Sequence, residues 1–297
     1  MAAPMFLFGI GAAKAGTTWL AQALRAHPQA AMPPFKETHY FDSLEHDSAL
    51  WSMDQLIGVR QGVRVDLAQA KTRKIRDRLT FRVKEMDRWM GLVGAKVEND
   101  KRYEALMHRR ANDETRVCAD ITPAYALLSE KTYKRMAALN GGKTRFVMIL
   151  RDPVDRLWSN LSMTAQRRAK RGRPLDDVQN ELLRGITDGS NSAEMARSDY
   201  ASTLARLTKA VPKSKLKVLF FEQLFEKDTL EDLSEFLGFD DVLTGPSEPA
   251  NAGAGQAMDA NTHTLLADAM QPQYDFVMSR FDAVPPRWQD NMKGPVQ

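Results

Sequence analysis

Four short apolar runs mark the chain: MFLFGI (Met5–Ile10), RVCAD (Arg116–Asp120), RFVMIL (Arg145–Leu150) and LKVLFF (Leu216–Phe221). None alternates polar with apolar positions, which is the pattern of central parallel strands covered on both faces. Between and after these runs the apolar residues recur at helical spacing. That spacing predicts helices over Thr17–Ala26, Leu67–Met90, Tyr103–Arg110, Val154–Ala169, Asp199–Lys209 and Leu230–Leu237. Strands alternating with helices predict an α/β fold, a doubly wound parallel sheet of about five strands flanked by helices. No repeat and no central linker divides the sequence, so one domain over residues 1–297 is expected, with a helical insertion over roughly 47–101. The sparse stretch Thr244–Gly255 (TGPSEPANAGAG) reads as one long loop.

Composition narrows the class. With 43% apolar residues the chain has enough material for a sizeable core. No run approaches the roughly 18 apolar residues of a membrane span. The opening MAAPMFLFGIGAA lacks a basic n-region and leads straight into Lys14, which argues against a secretory leader. The single cysteine, Cys118, allows no internal disulfide and suits a reducing compartment, so a cytoplasmic protein is expected. Its apolar neighbours make it a buried structural thiol. The net charge of +4 fits an anionic ligand without naming one. Of the basic stretches, Lys71–Arg88 interleaves Asp77, Glu85 and Asp87 as a solvated helix face would. Arg167–Arg173 reads as an exposed helix end. Neither carries the aromatics of a nucleic-acid platform, so nucleic acid and membrane are both excluded as expected partners. No His/Cys/Asp cluster has metal-ligand spacing, and no metal is expected.

The segment GIGAAKAGTTWLAQAL (Gly9–Leu24) carries the chemistry. A buried strand, a turn of small residues and a helix starting at Thr17 aim main-chain N–H groups and the positive helix end at one point, as a phosphate requires. Lys14 adds a mobile charge, and Thr17 and Thr18 add hydroxyls. A dinucleotide fingerprint fails here because Lys14 stands where its third glycine belongs. A Walker A loop aligns from Gly11 to Gly16, but Thr17 occupies the position of its lysine. The displaced Lys14-x-Gly16-Thr17-Thr18 pattern resembles the 5′-phosphosulfate loop of sulfotransferases that use 3′-phosphoadenosine 5′-phosphosulfate (PAPS).

That resemblance extends along most of the chain. His27-Pro28, Lys36-Glu37, His39 and Phe41-Asp42 match a pattern common in the family. ILRDPVDRLWSNLSM (Ile149–Met163) is similar to its 3′-phosphate segment, with Arg151 and Ser159 at the matching positions. Asp120–Pro123, Arg197–Tyr200 and Val218–Leu224 also align. Order and spacing are those of carbohydrate-type and bacterial sulfotransferases, which implies a P-loop-like fold. It also implies sulfuryl transfer from PAPS, leaving 3′-phosphoadenosine 5′-phosphate (PAP), to a hydroxyl or amine of a small-molecule or carbohydrate acceptor. The resemblance implies that Lys14, Ala15, Gly16, Thr17, Thr18, Trp19, Arg151 and Ser159 bind the donor. It further implies that Lys14 stabilises the leaving oxygen and Glu37 is the base, with His39 a rival for that role or an orienting group. Ile121 stands where carbohydrate sulfotransferases often carry lysine, which weakens the case for a highly sulfated sugar. Asn251–Gly255 is the candidate for the late donor loop.

Physical reading supports the same residues. Arg151 ends a buried strand, where α/β sheets place ligands, and its forked guanidinium suits a phosphate dianion. Pro153 with Asp152 as N-cap starts the next helix. An ion pair of Arg151 with Asp152 or Asp155 is the plain alternative. Trp51, Trp89 and Trp158 could line a ring-binding site, although core packing suits each better. A nucleotide kinase, with Asp120 holding magnesium, and a non-catalytic nucleotide-binding protein are the rival functions. Acceptor selectivity is expected to lie in the 47–101 insertion and the Thr244–Gly255 loop. The oligomeric state stays open.

Overall fold

Three of the four apolar runs become almost wholly buried strands, whereas the last, Leu216–Phe220, is a half-buried strand at one edge of the sheet. In a computed structural model, which describes residues 3–46, 49–246 and 257–293, β1 (Met5–Gly11) is central. Phe6, Leu7, Phe8 and Ile10 there are wholly buried, each contributing about 1.5–3 kcal/mol of apolar transfer. α1 (Thr17–Ala26) returns to the short β2 (Ala30–Ala31). α2 (Tyr40–Glu45), α3 (Ala49–Ala68), α4 (Arg73–Val93) and α5 (Asp100–His108) then precede β3 (Val117–Ile121). α6 (Glu130–Ala138) leads to β4 (Thr144–Leu150), and α7 (Pro153–Ala169), α8 (Leu175–Thr187), α9 (Ser192–Ala196) and α10 (Tyr200–Ala210) to β5 (Leu216–Phe220). α11 (Lys227–Leu237), α12 (Ala260–Arg280) and α13 (Pro286–Lys293) complete the described chain.

The sheet has the order β2-β3-β1-β4-β5 and every pairing is parallel. β1 pairs with β3 from Met5 opposite Val117 to Gly9 opposite Ile121, and with β4 from Phe6 opposite Thr144. The chain thus winds from β1 toward one edge and then toward the other. This is the α/β, P-loop-like architecture expected, and it puts a switch point at the carboxyl ends of β1, β3 and β4, where such sheets bind ligands.

Several elements differ from the sequence expectation. The helix expected over Leu67–Met90 is two: Leu67 lies in α3, and α4 starts after Thr72, whose hydroxyl accepts from the Ile75 amide. β2 is only two alanines long. Trp51 is not a core residue; it is 48% exposed, whereas Trp89 and Trp158 are buried. Cys118 is buried as expected, and burial pushes its thiol up to about 12. Among the described residues no helix is long and apolar enough to cross a membrane.

Candidate active site

The turn after β1 is forced into shape by its small residues. Gly16 is the N-cap of α1 at φ +85°, a conformation that glycine adopts without penalty. No side chain caps this helix, so the N–H groups of its first turn face the switch point. The hydroxyls of Thr17 and Thr18 have no hydrogen-bond partner among the described residues. Lys14, at φ +69°, rests its ammonium against Met163 Sδ at 3.6 Å. Burial, then the charges of Arg151, Lys36 and Arg156, hold its pKa below the ordinary lysine value. Trp19 turns the other way, into the core, and donates from Nε1 to the Pro246 carbonyl at 2.7 Å. Only its main-chain amide belongs to the loop.

Arg151 follows β4 directly. It donates to the Lys14 carbonyl at 3.0 Å, and its guanidinium lies 4.9 Å from the centre of the Phe221 ring. The ion pair with Asp152 or Asp155 does not form. Asp152 caps α7 through the Asp155 amide (2.9 Å) and accepts from Tyr274 (2.8 Å) and Asn291 (2.8 Å), while Asp155 pairs with Arg287 (2.9 Å). Burial raises Asp152 to about 6 despite these donors. Glu222 accepts from the Asp152 amide and from the Trp288 indole, at 2.8 and 3.0 Å. Ser159 stands farther along α7, half-buried, its hydroxyl without a partner among the described residues.

Facing these cations is the segment Lys36–Asp42. Asp120, at the end of β3 and fully buried, accepts from Thr38 (2.6 Å), Thr122 (2.7 Å), Tyr103 (2.8 Å) and Tyr125 (2.9 Å). The Thr38 amide donates to Thr122 Oγ1 at 3.0 Å and the Glu37 amide to the Ile121 carbonyl at 3.2 Å. These bonds hold Glu37 and His39 at φ +65° and +54°, a strained region for residues with a Cβ that costs of order 1 kcal/mol each. Glu37 pairs with Lys36, and its other oxygen lies 3.5 Å from His39 Nε2. His39 Nδ1 lies 2.9 Å from Asp42 Oδ2. Burial alone would raise the Glu37 carboxyl, but the His39 and Lys36 bonds and charges outweigh it and bring it to about 2. Burial works against a charged imidazole too, yet Asp42 and Glu37 raise His39 to about 9. At neutral pH Glu37 is therefore a carboxylate and His39 an imidazolium, with Asp42 on the imidazole nitrogen away from Glu37.

The fold thus brings the Lys14 turn, Lys36 and Arg151 to one place, with Glu37 and His39 joined to it through Lys36. The candidate late loop Asn251–Gly255 lies outside the described residues. Sequence reasoning gave three groups no role in the site. Asp42 could have been found from its i,i+3 spacing after His39. Arg156 is fully buried in α7, although it reads as an ordinary helix arginine. Phe221, under Arg151, had no signal beyond its place at a strand end. Among the described residues no group of His, Cys, Asp or Glu could hold a metal ion.

An uncapped helix after the first strand and a cation-lined switch point define a P-loop-like α/β protein. Residues 4–242 match the Sulfotransferase family, and the chain belongs to it; its class of chemistry is sulfuryl transfer. A crystal structure of a sulfotransferase from Alicyclobacillus acidocaldarius is similar over 97% of this chain and 100% of that one, with 21% identity and a TM-score of 0.60. At that identity the likeness is one of fold. The sulfotransferase domain from the curacin biosynthetic pathway aligns over 85% of this chain and 81% of that one, at 15% identity and a TM-score of 0.49. No curated protein matches the sequence.

Proposed function

We propose that the protein transfers the sulfuryl group of PAPS to a hydroxyl or amine of an acceptor by in-line displacement. One observation carries the reading: Lys14, Lys36, Arg151 and Arg156 lie close enough that the other three charges add to burial in depressing Lys14, and of the four only Lys36 has a carboxylate partner among the described residues. Such crowding is costly until a polyanion arrives. The first turn of α1, Lys14, Thr17 and Thr18 fit a 5′-phosphosulfate, and Arg151 with Ser159 fits a 3′-phosphate. PAPS supplies an activated sulfur whose bridging oxygen leaves with the 5′-phosphate. Lys14 neutralises the charge that appears on that oxygen, help typically worth about 3 kcal/mol. Glu37 receives the acceptor's proton as the new S–O or S–N bond forms. It is ionised at every physiological pH, and the acceptor grows acidic only as that bond forms, so its low basicity suffices. His39, already protonated, cannot take the proton and instead holds Glu37 in line.

The kinase alternative needs Asp120 for magnesium, yet that carboxylate is buried beneath four hydroxyl donors, and Thr17 stands where the kinase lysine belongs. Calorimetric titration with PAP, without metal and with ATP and 5′-AMP as controls, tests the reading. Tight binding that requires the 3′-phosphate is expected. Preference for magnesium-ATP would replace the reading with the kinase, and PAP binding without turnover of PAPS would leave a nucleotide-binding protein.

A further inference from the structure

On the Asp42 side of the His39 cluster a cavity of about 360 Å³ opens, lined by Asp42, His46, Trp51, Ala124, Leu127 and Arg197. Its volume is at the lower end for small-molecule sites. It meets that cluster at His39: Asp42 is the carboxylate bonded to His39, and the Trp51 ring stands edge-on to the His39 ring at 5.3 Å. His46 closes one side by its 3.2 Å contact with the Leu127 carbonyl.

The lining has two unusual members. Trp51 leaves half its surface open although apolar neighbours Ala124 and Leu127 stand across from it. The guanidinium of Arg197, in the turn between α9 and α10, has no hydrogen bond and no carboxylate among the described residues. It presses instead on another cation, since its charge is one of those lowering Arg156. The carboxylate in the same wall, Asp42, faces the His39 imidazolium. An indole face and a guanidinium across one small cavity suit a ligand with a flat or alkyl body and an anionic end.

We infer that the acceptor is a small acidic amphiphile: an apolar ring or chain against Trp51, a carboxylate or similar anion on Arg197, and the reacting hydroxyl or amine turned toward Glu37. This inference rests on the sulfuryl-transfer reading and specifies its substrate class. An extended neutral sugar fits neither the volume nor Arg197.

The test compares 4-hydroxyphenylacetate with 4-methylphenol, two phenols alike except for the carboxylate. Each is titrated onto the protein alone and with PAP, and each is then tried as acceptor with PAPS. The acid is expected to bind at least tenfold more tightly than 4-methylphenol and to be the better acceptor by a similar factor in kcat/KM. Arg197→Gln should abolish the preference with PAP affinity unchanged, and Trp51→Ala should weaken both phenols. Equal binding of the two phenols, no measurable binding of either, or a preference that survives Arg197→Gln overturns the inference. Because the cavity is formed by the chain itself, these outcomes hold in the protein alone. Failure of PAP to bind would instead strike the underlying reading.

Discussion

Arg151 donates a hydrogen bond to the main-chain carbonyl of Lys14 at 3.0 Å, so the two cations expected to take opposite ends of the donor are tied through one backbone atom. Residues far apart in sequence are thereby set at a fixed spacing, and the turn after β1 cannot shift without moving Arg151.

Removing either cation should weaken nucleotide binding. Lys14→Ala is expected to cost about tenfold in PAP affinity and a further factor of about 10² in kcat, the share that acts only in the transition state. Arg151→Ala should cost ten- to a hundredfold in affinity, about 1.5–3 kcal/mol for charged hydrogen bonds. Arg151→Lys should recover only part of it, because a lysine cannot bind in a fork. Calorimetry with PAP measures both, and wild-type affinity in Arg151→Ala would remove it from the donor site.

Glu37→Gln should leave PAP affinity intact and lower kcat by about 10²–10⁴, the usual range for lost general-base help. Single-turnover assays with PAPS separate chemistry from product release. Unchanged turnover would take the proton-accepting role away from Glu37.

The His39 cluster predicts a pH dependence. Its folded pKa of about 9 lies above the ordinary 6.5, so the stabilisation is complete below pH 6.5 and is lost as pH rises through 9. At 1.36 kcal/mol per unit this is about 3 kcal/mol. Unfolding free energies from denaturant titrations between pH 6 and 10 should fall by that much more in the wild type than in His39→Asn. The Glu37 shift arises from the same cluster and acts on the acid side, where stabilisation present above pH 4.5 is lost as pH falls toward 2. Identical alkaline profiles for the two proteins would refute the ion-pair row.

Gly16→Ala should be costly in two ways. The backbone lies at φ +85°, and an added Cβ would meet Phe221 Cδ2 at 2.8 Å and Leu224 Cδ2 at 2.9 Å. Strain and overpacking together should destabilise by about 1–3 kcal/mol and lower PAP affinity by displacing the turn. A thermal melt matching the wild type would show that the turn is more yielding than its geometry implies.

Much of the frame could be read from the chain. The four apolar runs are strands, and Thr17–Ala26 is the helix expected, because its small-residue entry and periodic interior are local signals. β2 escaped notice because two alanines carry no pattern. The 47–101 insertion was expected to be helical, but α3 was not picked out within it because its apolar residues lie all round it and Gly58 and Gly62 interrupt it. α12 has Pro272 within it, which ordinarily argues against a helix. At the site, Lys14 and Arg151 stood out by position after a strand, whereas Glu37 and His39 were visible only through family resemblance. The structural role of Asp120 was hidden because its donors Thr38, Tyr103 and Tyr125 come from distant segments. Arg197 and Trp51 came together only when folding placed both in the wall of one cavity.

The matched family span ends at residue 242, yet the carboxylate that starts α7 beneath Arg151 is held by Tyr274 and Asn291, and Trp288 steadies the glutamate next to it. A protein trimmed to the recognisable span would keep every signature residue and lose the clasp that seats one of them. What those last helices must deliver is a hydroxyl, an amide and an indole N–H to fixed points behind Arg151. Any sequence that brings the same three donors there would serve, so this part of the molecule is constrained by address rather than by wording.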